Sequence, residues 1–380
     1  MVPPDINTAP IVIEIDDNWG MRGLSPHSPI SMRMTIQQLR ARAVAQSLFK
    51  PTSLKAAVMR LGFIQADPIR SPARAQDLIL RHRVKGYKAG DLERGFPVLD
   101  LEEDVLYAYG FVHRRIWELL HPRKSTRLSK LEKSVLDAVL QAGPTHPATL
   151  QEAHGRKRVI NAWGSYSKAT TQALEMLHYR GLLRIARREN GIRLYEAARP
   201  CAKLPQTERL EKLILSMVNI LAPVPIQTLN SNVARYGHLG NPRSVVRRMI
   251  ADGDLESEAV DGLEYVSIPQ QCRFDARPIV RFLAPFDPLV WDRRRFEHLW
   301  GWAYRFEAYT PPARRQRGYY AMPMLWKDDI IGWANANVRD GKLSIDVGFA
   351  KARPGGEIFQ HELEAEFQRL SSFLGKNIGS

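Results

Sequence analysis

Gln65 and Asp67 are a pair of side chains whose types and spacing could support chemistry. One residue separates them, and on an extended backbone that spacing directs both side chains to the same face. Pro68 disfavours helical conformation at Asp67 and keeps the segment extended or turned. An amide and a carboxylate so placed could orient a water molecule and stabilise positive charge on a sugar, as hydrolysis of an N-glycosidic bond requires. Taken alone, the pair fits a turn or a helix cap better than a catalytic site.

The charge of the chain favours a polyanionic partner. The 380 residues have a formal net charge of +15 and a pI of about 9.9. Nucleic acid is the first candidate, and a basic protein kept soluble by its charge is the alternative. Arginines follow the Gln65–Asp67 pair closely, and we expect them to grip the flanking phosphates: Arg70, Arg74, Arg81 and Arg83.

Two further stretches concentrate positive charge. The stretch from Arg156 to Arg193 contains nine basic and two acidic residues. The predicted phosphate contacts there are Arg156, Lys157, Arg158, Lys168, Arg187 and Arg188. Between Arg273 and Arg317, ten arginines alternate with tryptophans and tyrosines, a combination suited to phosphate contact and base stacking. The predicted DNA contacts in that stretch are Arg293, Arg294 and Arg315. An arginine–acid network covering a sheet face explains residues 293–295 equally well.

An internal repeat indicates the elements that would position these residues. LEKSVLDAVLQAGPTHPATL at 131–150 aligns without a gap with LEKLILSMVNILAPVPIQTL at 210–229. Each copy predicts an amphipathic helix, a turn containing proline and a second short helix. In each copy a third helix then ends in glycine and a hairpin follows. The glycines are Gly181 and Gly253, and the hairpin turns are Asn190-Gly191 and Asp261-Gly262.

Three helices followed by a two-stranded wing are typical of a winged helix. Residues 35–83 form a looser third copy, with a helix from Thr35 that Pro51 ends and a second helix capped by Thr52 or Ser53. We therefore predict an α+β protein with three tandem winged-helix units, a C-terminal antiparallel sheet or partial barrel, and a terminal helix. The expected divisions are a flexible lead-in at 1–34, winged-helix units at 35–126, 127–200 and 207–268, and a β-domain at 269–376.

The C-terminal region changes character, because strand-like runs replace helical periodicity. The runs are IVRFLAP, YRFEAYT, GYYAMPMLW, IIGWANANV and KLSIDVGFA. A helix over about 357–374 follows, with a predicted packing stripe of Ile358, Leu363, Phe367, Leu370 and Phe373.

Cysteine usage and hydropathy argue against a disulfide-rich, metal-binding or membrane protein. Cys201 and Cys272 are the two cysteines, and neither belongs to a cysteine or histidine cluster. We therefore expect no disulfide framework, no metal and no cofactor. No apolar run has the length of a membrane span, and the N-terminus does not resemble a signal peptide. The expected location is the cytoplasm, on the nucleoid when bound to DNA, and the simplest expected state is a monomer.

Two segments resemble those of the AlkZ/YcaQ-like winged-helix DNA glycosylases. LGFIQADPIRSPARAQDLILRHRV at 61–84 is similar to the segment that carries their Gln-x-Gln or Gln-x-Asp motif. PFDPLVWDRRRFEHLWGWAYRFEAYTPPARRQRGYYAMPMLWKDDIIGW at 285–333 is similar to their C-terminal block. The resemblance extends from about residue 35 to 350.

This resemblance implies a concave basic face for duplex DNA and excision of bulky N-alkylpurines, with unhooking of interstrand cross-links in the Gln-x-Asp branch. It assigns the catalytic pair to Gln65 and Asp67 and implies simple hydrolysis without strand cleavage. Five residues become possible neighbours of the site: Gln76, Tyr109, His113, Trp291 and Tyr319.

The chain departs from the family pattern at residues 109–113, where a more Trp/Ala/His-rich stretch is common, and at two single positions. Gln76 follows Arg74-Ala75 where the family commonly has histidine, and Pro68 replaces threonine or a similar residue. A neutral glutamine cannot carry the charge that histidine can. The alternative function is therefore a DNA-binding protein without catalysis, such as a transcriptional regulator.

Overall fold

A computed structural model describes residues 34–123, 127–154, 158–160, 166–199, 204–269 and 277–378. The predicted lead-in at 1–34 lies outside these residues except for Met34. The architecture is mixed α and β, as predicted, and it ends in a curled sheet and a long helix. In the described part of the chain, no helix combines the length and the apolarity needed to cross a membrane.

The first region begins with the helix predicted at Thr35, whose side chain forms a capping box with Gln38. Ser53 caps the second helix, which ends at Gly62 with a φ of 70°. The elements are α1 (Ile36–Ser47), α2 (Leu54–Leu61), β1 (Phe63–Gln65), α3 (Ala75–Leu80), α4 (Asp91–Gly95), a 3₁₀ turn (Phe96–Val98), β2 (Leu101–Val105), β3 (Tyr109–His113) and α5 (Arg114–Leu120).

The middle region contains the two aligned copies. In chain order they are the second and third copies, because residues 35–83 contain the looser first one. The second copy comprises α6 (Lys130–Ala142), α7 (Pro147–His154), β4 (Arg158–Ile160), β5 (Tyr166–Lys168), α8 (Ala169–Tyr179), β6 (Leu183–Glu189) and β7 (Ile192–Ala197). The third copy comprises α9 (Gln206–Leu221), β8 (Val224–Pro225), α10 (Ile226–Val233), a 3₁₀ turn (Ala234–Leu239), α11 (Pro242–Ala251), β9 (Glu256–Val260) and β10 (Leu263–Ser267).

Both predicted hairpins and both predicted helix ends are confirmed. Asn190-Gly191 joins β6 to β7 with φ angles of 49° and 82°, and Asp261-Gly262 joins β9 to β10 with φ angles of 47° and 80°. These positive values are those of a type I′ turn, which matches the twist of the strands it joins. Gly181 and Gly253, with φ angles of 76° and 83°, follow α8 and α11.

One strand order recurs three times and shows how the copies correspond. The short strand after the first helix of each copy pairs with the last strand of its hairpin, as β8 does with β10 and β1 with β3. In the remaining copy, Thr145 forms the equivalent bridge with Tyr195 on β7. The first copy therefore begins at α2. α1, which the sequence comparison aligned as its first helix, packs instead with α12 and α13 of the C-terminal region, because Leu39 and Val44 share a core with Phe296.

The C-terminal elements form a five-stranded sheet in the order β11-β12-β13-β14-β15, in which only the β14–β15 pairing is parallel. They are β11 (Val280–Phe282), α12 (Pro288–Trp291), α13 (Arg293–Trp300), a 3₁₀ turn (Pro312–Arg314), β12 (Met322–Trp326), β13 (Asp329–Arg339), β14 (Lys342–Phe349), α14 (Glu357–Leu374) and β15 (Asn377–Ile378).

Two predictions in this region are wrong in part. The run YRFEAYT is not a strand, because Glu307 folds it into a closed loop by accepting the backbone N–H groups of Gln316, Arg317 and Gly318. The packing stripe of α14 includes Phe359 rather than Ile358, which is exposed. Leu363, Leu370 and Phe373 are buried as predicted. The helix and sheet share a core with Ile64 and Leu78, so the C-terminal region supports the segment around Gln65.

Candidate active site

The backbone at Gln65 is fixed by pairing between β1 and β3. Gln65 lies opposite Gly110, and the N–H of Ala66 donates to the carbonyl of Tyr109 at 3.0 Å. A Cβ added to Gly110 would lie 2.3 Å from the carbonyl oxygen of Ile64 and 2.8 Å from the ring of Phe63. Glycine is therefore required at residue 110 for this close approach of the two strands.

Asp67 follows the end of β1 and turns back on its own backbone. One carboxylate oxygen accepts the N–H of Ile69 at 2.9 Å. Burial raises the pKa of Asp67, and the hydrogen bond from Ile69 opposes part of that rise. The Oε1 atom of Gln65 is buried and has no hydrogen-bond partner among the described residues. An unsatisfied acceptor two residues from a half-buried carboxylate is suited to hold a water molecule.

A tyrosine from the C-terminal region completes this environment. The Tyr320 hydroxyl is buried and finds no hydrogen-bond partner in the described chain. Burial first and the negative charge of Asp67 second raise the pKa of Tyr320 well above its usual value, so the hydroxyl stays protonated and can donate. The residue predicted from the family resemblance is Tyr319, the neighbour of Tyr320. Tyr319 is exposed, and its ring lies 5.1 Å from the guanidinium of Arg315. Tyr320 was missed because the GYY segment alone does not tell which tyrosine points inward.

Gln76 and His113 have different surroundings. Gln76 lies on α3 with 2% of its surface exposed, and its Oε1 atom lacks a partner among the described residues. His113 caps α5 by accepting the N–H of Arg115 at 3.4 Å, and burial lowers its pKa. His113 therefore has a structural contact that explains its presence, whereas Gln76 keeps a free acceptor.

Tyr109 connects the site to a row of buried acids on β2. Its hydroxyl donates to Glu103, and its ring lies 4.9 Å below the guanidinium of Arg193. Arg188 also binds Glu103, with Nε at 2.7 Å from the carboxylate. Hydrogen bonds and the charges of these partners hold the pKa of Glu103 below its ordinary value despite burial.

The neighbouring acids make similar contacts. The Glu102 carboxylate accepts hydrogen bonds from Arg184 Nε at 2.8 Å and from Arg114 Nη1 at 3.2 Å. Asp104 accepts Arg123 at 3.0 Å and His121 at 2.8 Å, and these partners lower the pKa of Asp104 strongly.

Three cations of β6 and β7 therefore face β2: Arg184, Arg188 and Arg193. The Arg188 guanidinium is bound to Glu103 while its side chain is 29% exposed, and its contact with phosphate stays a prediction. Arg187 pairs with Glu189 at 2.7 Å, and half of each side chain is exposed.

The four arginines nearest the pair divide into two kinds. Arg70 is exposed, and Arg74 pairs with Glu93. Burial, followed by the charges of Arg70 and Arg188, lowers the pKa of Arg74. Positive charge of this kind suits a polyanionic ligand.

Arg81 and Arg83 are not available to DNA, so their prediction is wrong. Arg83 is fully buried and forms a bidentate pair with Asp287 at 2.7 and 2.9 Å. The Arg81 side chain is 3% exposed and binds buried Glu366. Both arginines connect the segment after α3 to the C-terminal region.

The remaining predicted contacts also divide by exposure. Arg293 is half-buried, donates to the carbonyls of Val290 and Pro285, and stacks on Tyr304 at 4.5 Å. Trp291 packs edge-on against Tyr107 at 4.6 Å, within a core. Arg315 is half-buried and donates to the carbonyl of Thr310 at 2.8 Å. Arg294, in contrast, is exposed.

Two predicted contacts of the second copy lie directly opposite each other. Arg158 and Lys168 are exposed partners on β4 and β5, and Lys168 also precedes α8. Like charges on facing strands are destabilising without an anion. Arg156 and Lys157 lie outside the described residues.

Comparison with known proteins identifies the protein family to which the chain belongs. A family model described as AlkZ-like, DNA glycosylase AlkZ-like, matches residues 58–373. Among solved structures, the DNA glycosylase AlkZ of Streptomyces sahachiroi is similar with a TM-score of 0.62. The two chains are 15% identical over 91% of this chain and 98% of that one, which shows a shared fold.

The class is that of the DNA glycosylases, hydrolases that act on N-glycosyl bonds. The family match covers most of the chain, and the chain belongs to the AlkZ-like DNA glycosylase family. The match begins inside α2, the helix at which the recurring strand order also begins.

Proposed function

We propose that this protein hydrolyses the N-glycosidic bond of bulky N-alkylpurines in duplex DNA and unhooks interstrand cross-links, as a member of the Gln-x-Asp branch. The observation that carries the proposal is the unpartnered, buried Oε1 atom of Gln65 two residues from the half-buried carboxylate of Asp67. This arrangement supports a bound water with one hydrogen directed at the amide oxygen and one at the carboxylate.

The chemistry needs little beyond that water. An N-alkylated purine carries positive charge, so it departs as a neutral base without strong protonation. As the bond to the base breaks, positive charge develops on the sugar, and the Asp67 carboxylate stabilises it. The water then attacks the sugar carbon and transfers its proton to Asp67. The product is an abasic site in an intact strand.

Tyr320 supplies a hydrogen-bond donor for two acceptors of the site. Gln65 Oε1 and an ionised Asp67 can only accept, whereas the protonated Tyr320 hydroxyl can donate to the carboxylate or to the oxygen of the water. We assign Tyr320 the role of a positioning residue, because it belongs to the core on which Ala66 and Ile69 pack, and because the charge of Asp67 helps to raise its pKa.

We further propose that the three copies with the shared strand order are winged-helix units that bind one duplex, and that the protein acts as a monomer. The recurring pairing of the short strand with the last hairpin strand supports this interpretation. Among the predicted contacts, the exposed cations Arg70, Arg158, Lys168 and Arg294 remain candidates for phosphate binding.

The test is base release from duplexes that carry N7-alkylguanine or a nitrogen-mustard cross-link. Asp67→Asn keeps the shape of the side chain and removes its charge, so we expect the single-turnover rate to fall by about 10²–10⁴-fold. Duplex affinity should be unchanged. Asp346→Asn is the matched control, because Asp346 is exposed on β14.

Two results would contradict the proposal. An Asp67→Asn variant with the wild-type rate would remove Asp67 from the mechanism. Wild-type protein that binds these duplexes without releasing any base would favour the role of a DNA-binding protein without catalysis.

A further inference from the structure

A strongly basic cavity lies at the C-terminal end of α3, whereas Arg74 precedes the N-terminal end of this helix. Its volume is about 450 Å³, within the range of roughly 300–1,000 Å³ that is usual for small-molecule sites. The end of α1, the end of α2, β11, the β12–β13 turn and α14 line it. Besides Arg81 and His82, the basic residues that line it are Lys50, Arg60, Arg277, Arg281, Lys327 and Arg369.

The described residues that line this cavity include no carboxylate. Glu366 of α14 pairs with two of the lining arginines and is fully buried. It accepts Arg81, Arg369 at 2.8 Å and the backbone N–H of Phe282 at 3.0 Å. One carboxylate thus serves two arginines. Among the other cations that line the cavity, Lys50, Arg281 and Lys327 form no ion pair with a described residue.

Arg281 is the residue that an incoming anion would benefit most. It is half-buried on β11, and its guanidinium makes no hydrogen bond or ion pair with a described residue. Burial lowers its pKa, the charges of Arg369, Arg83 and Arg277 lower it further, and Glu366 only partly opposes them. Burial and the neighbouring cations make the charged state of this guanidinium electrostatically unfavourable. A bound oxyanion would offset that free energy.

The remaining wall of the cavity is apolar. Val44, Leu48, Phe49 and Ile279 contribute to it, and the guanidinium of Arg60 lies 4.2 Å from the centre of the Phe49 ring. A ligand with a phosphate group therefore meets cations on one side and hydrocarbon on the other.

We propose that this cavity is a binding site for a phosphate-type oxyanion, separate from the Gln65–Asp67 site, with Arg281 as its central ligand. The phosphate group belongs either to the backbone of bound DNA or to a free phosphorylated molecule. Both sources offer the same chemistry, and the experiment separates them.

The first arm measures binding of inorganic phosphate and pyrophosphate to the full chain by calorimetry, with chloride at matched ionic strength as the reference. Arg281→Gln removes the half-buried guanidinium, and Lys327→Gln removes an exposed cation from the rim. We expect binding to weaken by about ten- to hundredfold in Arg281→Gln and by less in Lys327→Gln. Arg339→Gln, an exposed position at the end of β13, should bind as the wild type does.

The second arm measures affinity for an unmodified duplex across a series of salt concentrations. If the phosphate belongs to DNA, Arg281→Gln lowers the slope of log affinity against log salt by about one. If it belongs to a free ligand, that slope is unchanged while phosphate binding is lost.

One combination overturns the proposal: phosphate and pyrophosphate bind no better than chloride, and both variants keep the wild-type salt slope on duplex. Lys327→Gln is the second variant in case Arg281→Gln fails to fold, because the Lys327 side chain is exposed on a surface turn. Base release by the wild type is not part of either measurement, so failure here is distinct from failure of the glycosylase assignment.

Discussion

Asp287→Asn is the most informative test of how the segment around the active site is held. Asp287 and Arg83 are both fully buried and pair through two hydrogen bonds of 2.7 and 2.9 Å. The other N–H groups of Arg83 donate to the carbonyls of Ile79 and Ser47 and to the Ser47 hydroxyl, at 2.7–2.9 Å. This one guanidinium therefore joins α1, α3 and the C-terminal region.

The substitution preserves shape and removes charge. An asparagine can still accept the N–H of Leu289, which Asp287 caps at 3.0 Å, but it leaves the Arg83 cation buried without a counter-ion. Loss of one partner of a buried pair costs about 3–5 kcal/mol. A chain of 380 residues unfolds with an entropy of about 0.8 kcal/mol/K, so the Tm should fall by about 4–6 °C.

The measurement is thermal unfolding followed by circular dichroism, together with duplex affinity at several salt concentrations. Replacing both residues, as in Arg83→Met with Asp287→Leu, should cost less than the sum of the single changes, because no charge is stranded. The reasoning is refuted if Asp287→Asn leaves the Tm within about 1 °C of wild type and Arg83→Met instead lowers the salt slope of DNA binding.

The remaining predictions concern pH, positioning, charge burial and DNA contact. Because the Asp67 pKa is raised and only the ionised carboxylate assists, base release should decline on acidification through a midpoint above 3.8, and Asp67→Asn should abolish that limb of the pH–rate profile. Tyr320→Phe should slow base release and move the same midpoint, while duplex affinity stays constant; an unmoved midpoint argues against a role beside Asp67. The pKa of Asp104 is lowered, so its stabilisation is complete above 3.8 and is lost as the pH falls below it; Asp104→Asn should flatten acid unfolding monitored by circular dichroism. Lys168→Gln should lower the salt slope of duplex binding by about one without changing the single-turnover rate at saturation, and a changed rate would place Lys168 elsewhere.

Local structure follows from the sequence wherever the signal is local. Asn190-Gly191 and Asp261-Gly262 demand left-handed backbone, and each makes the predicted hairpin. The helix at 357–374 carries its apolar period within one segment, and its bounds agree with the prediction. These features need no knowledge of distant residues.

Features that depend on tertiary contacts were not predictable in the same way. The helical periodicity of α1 is correct, yet nothing within residues 36–47 tells that it packs with α12 and α13 rather than with α2. The GYY segment likewise contains two adjacent tyrosines, and its sequence does not determine which of them is buried. Asp67 and Gln65 were found by their spacing, whereas Tyr320 required the C-terminal region to be placed against them.

The basic stretches show most clearly what a one-dimensional charge map omits. Arg184, Arg188 and Arg193 read as a DNA-facing wing, because their partners Glu102 and Glu103 lie about eighty residues earlier in the chain. Three consecutive acids in a strand, at 102–104, were the missing signal. Buried carboxylates of this kind are retained only with partners, so their presence in a predicted strand implies cations from elsewhere in the fold.

The reassignment of these arginines does not weaken the case for DNA, because burial removes more negative than positive charge from the surface. Among the described residues, nine carboxylates and six arginines are buried. The carboxylates are Asp77, Glu102, Glu103, Asp104, Glu132, Asp287, Asp292, Glu307 and Glu366, and the arginines are Arg83, Arg114, Arg123, Arg180, Arg209 and Arg295. The solvent-facing part of the described chain is therefore more basic than its total charge indicates. Surface charge, not total charge, sets the attraction of a duplex and its dependence on salt, so internal pairing of arginines and a basic exterior for DNA are consequences of the same arrangement.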